Sequence, residues 1–182
     1  MALFDSLKRP AASREASGGS TREIVFSRLP ETLQEFRALP QAAMGTPFDT
    51  AALTVLAFCY YPENRELALS MLDFLRGPRP LSPMDKQFIA DRFRDQDYVP
   101  RSYFKGATPE NRYRPSEPYS VAVKEGPYSY QNQNYAKLYL TSGGADSPRS
   151  VDLRLAKDGK WYLWEQYFLV GIRKPADEDP WA

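Results

Sequence analysis

Between Ser150 and Ile172, two apolar runs flank the dipeptide Asp158-Gly159. A tight turn between antiparallel strands needs positive φ, which Gly adopts without steric cost, so Asp-Gly in this setting predicts a β-hairpin. Val151, Leu153 and Leu155 alternate with Asp152 and Arg154, the period of a strand with one buried face. The returning run, Trp161 to Ile172, is too apolar to alternate. It predicts a central strand, buried at least partly on both faces. The register carries a conflict. A two-residue turn sets Asp152 opposite Glu165, and like charges directly opposite are unfavourable. A three-residue loop with a bulge at Gly159 slips the pairing by one residue and sets Glu165 opposite Val151. The charge argument favours this bulged form.

A chain of 182 residues is long enough for one domain with a substantial core. The expected division is 1–22 as a flexible segment and linker, and 23–182 as a single α+β domain. Lys and Arg number 24 against 23 Asp and Glu, so no overall field attracts nucleic acid or an anionic membrane. One cysteine and no histidine exclude an internal disulfide, a Cys/His zinc cluster and a His-based triad. Neither a metal nor a cofactor is expected. No apolar run approaches the length of a membrane span, and the start, Met1 to Arg9, lacks a signal-peptide core. A cytoplasmic location is expected.

Leu3, Phe4 and Leu7 suggest one amphipathic turn, a small docking peptide or a frayed end, and Ala11 to Ser20 has linker composition. Ile24 to Phe26 reads as a short strand or extended lead-in. A helix then opens at Pro30 on a Leu33, Phe36, Leu39 stripe and stops at Pro40. Thr46, Pro47 and Asp49 form a helix start, and Ala51 to Tyr60 is apolar nearly all round, which predicts a buried core helix. Cys59 within it is expected to be an inert, buried thiol. Two further helices follow, Glu63 to Arg76 with Gly77 as its cap, and one opening at Ser82-Pro83. Strands are expected over Ser120–Lys124 and Tyr135–Thr141. Leu53, Leu56, Phe58, Leu72, Leu153 and Trp164 are expected to be buried together.

From Tyr98 to Tyr119, aromatics alternate with Arg and Lys among four prolines. Such a loop stacks single-stranded nucleic acid where the charge supports it; neutral balance and the nearby Asp95, Asp97, Glu110 and Glu117 favour packing on its own core instead. Pro-Arg101-Ser-Tyr103 and Asp146-Ser-Pro-Arg149 each fix an arginine beside a proline. A planar, pre-set guanidinium suits a carboxylate or phosphate, including the chain's own Asp146. The candidate ligand-binding residues are therefore Arg101, Tyr103, Asn111, Asp146 and Arg149.

Four segments, Met71–Ser82, Pro100–Asn111, Ser142–Arg149 and Trp161–Gln166, together resemble an uncharacterised bacterial family of domains of unknown function, found mostly in Gram-positive proteins. The resemblance spans roughly Leu29 to Ala182 and implies no activity, cofactor or catalytic residue. Helices followed by a sheet with a Lys-Asp-Gly-Lys-Trp hairpin also look like the cone-shaped nuclear transport factor 2 fold.

The expected architecture is α+β: three to four N-terminal helices packed on one face of an antiparallel sheet of about four strands. The expected function is a non-catalytic cytoplasmic binding or regulatory module. It would recognise a protein partner or a small anionic ligand, and neither nucleic acid nor membrane. The rivals are a histidine-free enzyme with a Tyr/Asp/Arg pocket and a structural or assembly subunit.

Overall fold

The computed structural model describes residues 19–182; the amphipathic turn and most of the linker expected before Thr21 lie outside them. Five strands form one sheet in the order β1 (Thr21–Phe26), β2 (Tyr119–Glu125), β3 (Tyr135–Leu140), β4 (Arg149–Leu155) and β5 (Trp161–Gln166), every neighbour antiparallel. The architecture is α+β, with two corrections to the expectation. The strands number five, because Thr21–Phe26 pairs along its whole length with β2. The four helices, α1 (Leu33–Arg37), α2 (Pro47–Cys59), α3 (Arg65–Arg76) and α4 (Pro83–Phe93), sit between β1 and β2 rather than ahead of the sheet.

Local chemistry sets the helix ends. The Thr46 hydroxyl accepts from the Asp49 amide to start α2, and Ser82 with Asp85 forms a reciprocal capping box on α4. The first helix is shorter than expected: Thr32, not Pro30, caps it, and it yields to a 3-10 turn at Pro40. α3 ends at Gly77, whose φ of +57° and ψ of −116° only glycine adopts easily. A Cβ there would stand 2.3 Å from the Tyr162 ring, so this close approach joins the end of α3 to β5.

α2 is the organising element. It is buried from Pro47 to Phe58 except at the partly exposed Asp49, and touches all five strands. Leu53, Leu56, Phe58, Leu72 and Leu153 share the core with it, as expected. Trp164 does not. It lies on the opposite face of the sheet, with Arg79 at 3.9 Å and Arg154 at 4.7 Å from its ring centroid.

That placement corrects the reading of the returning strand. β5 is an edge, not a centre, and the apolar run is divided. Trp161 to Gln166 is strand; Phe168 and Leu169 have left the sheet and are buried, with Phe168 stacked edge-on against Phe58 and Tyr103. Sequence hydropathy counts both halves alike, although one half packs as strand and the other as irregular chain. The outer edge of β5 is hydrogen-bonded to distant parts of the chain: Trp161 N donates to Met44 O at 2.9 Å, and Arg79 Nη2 donates to Trp164 O at 2.8 Å.

The hairpin combines both registers. Near the turn, Leu155 faces Trp161 and Leu153 faces Leu163 around a Lys157-Asp158-Gly159 loop with Gly159 at φ +81°, the bulged form. A second irregularity between Asp152 and Leu153 then shifts the pairing, and Asp152 faces Glu165 after all.

Candidate functional site

A concavity of about 610 Å³ lies where the C-terminal end of α2 meets the start of α3 and the segment leading into β2. Its floor is apolar: Leu56, Cys59, Leu67 and Phe104. Helix α2 is apolar all round because it is buried all round, and the groove opens where that burial ends, at the partly exposed Cys59 and Tyr60. Tyr60 is anchored across the groove by donating its hydroxyl to Pro30 O at 2.5 Å.

The rim carries Glu31, Glu63 and Asp97 against one cation, Arg101. Arg101 stands on a 3-10 turn, Pro100–Tyr103, packed against α2. Its side chain is partly buried, and its one hydrogen bond to a described residue is a long one, 3.4 Å to Asp97 O. No carboxylate among the described residues pairs with it, whereas Arg79, Arg112 and Arg173 all have such partners. Burial pushes the Cys59 thiol up to about 12, although Arg101 nearby pulls the other way. Burial likewise raises Tyr60 above its ordinary value, with smaller pushes from Cys59 and the neighbouring glutamates. At neutral pH the groove therefore presents a protonated thiol and a protonated phenol.

The other candidate residues lie elsewhere. Tyr103 is 2% exposed and donates to Phe168 O at 2.5 Å. Arg149 donates to Val170 O at 3.1 Å, Ser147 O at 2.9 Å and Gly171 O at 2.8 Å. These two residues meet on one segment, which they tie back to the fold. Asn111 is saturated within its own loop: it accepts from Thr108 N and Arg114 N and donates to Gly106 O and Arg114 O. Asp146 pairs with Arg173 at 2.7 Å, not with Arg149, and its side chain is exposed. Of the five, Arg101 alone lines the groove. Sequence reasoning missed Tyr60, Leu67 and the acidic rim, since the end of an apolar helix reads as more core.

The profile of a family described as a domain of unknown function (DUF6935) matches residues 28–176. The chain belongs to that family. The matched span contains every residue named in the groove and omits β1, so the DUF6935 region begins after the edge strand that β2 recruits. No curated protein and no solved structure matches the chain. The four segments that carried the resemblance in sequence meet in two pairs. Gly77 and Arg79 contact Tyr162, Trp164 and Glu165. Ser102 O accepts from Gly143 N at 2.8 Å, and the two hydroxyls of Ser102 and Ser142 are 2.7 Å apart. Two long-range joints of this chain thus connect the segments that carry the resemblance. Among the described residues, no helix is long and apolar enough to cross a membrane, and no cluster of acidic and cysteine side chains is arranged to hold a metal.

Proposed function

We propose that the chain is a cytoplasmic, non-catalytic binding module that takes a small carboxylate with an apolar body in the groove at the end of α2. The observation that carries this reading is Arg101: a partly exposed arginine, without a carboxylate partner among the described residues, on the rim of an apolar floor. A ligand carboxylate would complete its guanidinium fork with two parallel hydrogen bonds. The apolar floor would take the body of the ligand. Glu31, Glu63 and Asp97 on the rim repel a polyanion, so a single carboxylate is favoured over a phosphate. A non-catalytic role is supported by the raised thiol and phenol, which stay protonated at neutral pH. The cytoplasmic setting is supported by the single cysteine.

The test compares hexanoate and 3-phenylpropionate with their amides, titrated by NMR. The acids should shift resonances of Leu56, Cys59, Leu67 and Phe104; the amides should bind at least about tenfold more weakly, the discrimination expected from one charge-assisted pair. Arg101→Gln should abolish the preference without lowering Tm. Equal binding of acid and amide, or no binding by either, overturns the proposal.

A further inference from the structure

The face of the sheet opposite the helices holds a second concavity, about 360 Å³, between β3, β4 and the 126–134 connection. Its wall is unlike that of the groove. It is mainly polar and aromatic, with Tyr128, Gln131, Asn132, Tyr135, Asp152 and Trp164 beside Lys137.

Three properties narrow what fits. The Asp152 side chain is only 21% exposed; its Oδ1 is sealed from solvent 3.3 Å from Lys137 Nζ, and the carboxylate accepts no hydrogen bond from the described residues. The accessible remainder of this carboxylate, without a hydrogen bond among the described residues, calls for a donor. Next, the lining residues themselves contribute one carboxylate and one ammonium, so they carry no net charge. An anion would meet Asp152 and a cation would meet Lys137. An apolar ligand would strip water from the carboxylate and two amides without replacing the lost hydrogen bonds. Finally, the aromatic surface is unequally available. Trp164 is already covered by Arg79 and Arg154, and Tyr135 packs edge-on to it under Arg154. Tyr128, 74% exposed, remains as an open ring at the mouth.

A neutral ligand that both donates and accepts, and that has one flat C–H face, satisfies all three. We propose that this concavity binds a neutral pyranose. Asp152 accepts from one hydroxyl, Lys137 and the amides of Gln131 and Asn132 serve its neighbours, and Tyr128 lies under the apolar face of the ring. The site is separate from the Arg101 groove, and neither reading depends on the other.

The experiment is an NMR titration of the whole chain with glucose, galactose, mannose and N-acetylglucosamine, each in turn, and with glucose 6-phosphate as the anionic control. At least one neutral sugar should shift the amides of residues 128–137 and the Trp164 indole N–H, saturating in the millimolar range or below, about the strength one stacked ring and a few hydrogen bonds allow. The sugar phosphate should bind at least about tenfold more weakly because it faces Asp152. Asp152→Asn and Tyr128→Ala should each weaken the sugar about tenfold or more. Tyr128 is exposed, so its variant decides the matter if Asp152→Asn lowers Tm. No shift at about 100 mM sugar, equal binding of the phosphate, or undiminished binding by Tyr128→Ala overturns the proposal.

Discussion

Asp152 and Glu165 stand directly opposite each other across the β4–β5 ladder, although both are acidic. The pair is tolerated because each carboxylate has its own cation from outside the hairpin. Lys137, one strand over on β3, lies 3.3 Å from Asp152, and Arg79, from the turn after α3, lies 2.7 Å from Glu165. A repulsion that counts against this register in the isolated hairpin is screened once the neighbouring strand and the helix layer are in place.

Arg79 therefore has three roles: it pairs with Glu165, donates to the Trp164 carbonyl and covers the Trp164 ring. Arg79→Ala should cost about 1–3 kcal/mol, mostly from the stacking and the carbonyl bond rather than the half-exposed ion pair. Glu165→Gln alone should be nearly neutral. In the Arg79→Ala background it should be stabilising, since it removes an unscreened like charge. A urea-denaturation double-mutant cycle measures this, and strictly additive effects would show that Arg79 and Glu165 are not coupled.

Arg149 and Arg101 should respond in opposite ways. Arg149 supplies donors to Ser147, Val170 and Gly171, so Arg149→Ala orphans carbonyls on two loops and should cost about 2–3 kcal/mol. Arg101→Gln should stay within about 0.5 kcal/mol of the parent, since it breaks only one long contact to Asp97 O. Thermal melts of both variants decide this; a reversed order would reassign the two arginines.

The chain should lose stability in alkaline solution. Burial raises Cys59 from 9.0 to about 12, and raises Tyr113 from 10.0 to about 12 with help from Tyr98 and opposition from Arg173. Both folded-state values exceed the unfolded ones, so the folded chain keeps protons that the unfolded chain releases. This contribution is complete below about pH 9 and is lost as pH climbs towards about 12. Tm should fall steadily over that window, and less steeply in Cys59→Ala. Tyr113→Phe should also flatten the slope, though from a lower starting Tm, because it loses the bond to Arg173 O. The same slope in both variants would place the alkaline loss on other groups.

Sequence alone determined the elements that rest on local chemistry. The Thr46-Pro47 and Ser82-Pro83 starts, the Gly77 stop, the buried α2 and the Asp-Gly hairpin each follow from a residue's effect on its immediate backbone or from a short-range apolar period. The loop from Tyr98 to Tyr119 also packs as its aromatics suggest, with Tyr98, Tyr103, Phe104 and Tyr113 buried. Tertiary structure decided the rest. Whether Trp164 is core or cation-covered surface depends on Arg79, which is far from it in sequence. Whether Asp152 faces Glu165 depends on cations brought by β3 and by the turn after α3. Most of all, Arg101 and Arg149 look equivalent in sequence, each set beside a proline. Only the fold assigns one to three backbone carbonyls and leaves the other over an apolar groove. A side chain's chemistry is written in the chain, but its partners are supplied by whatever long-range packing places within reach.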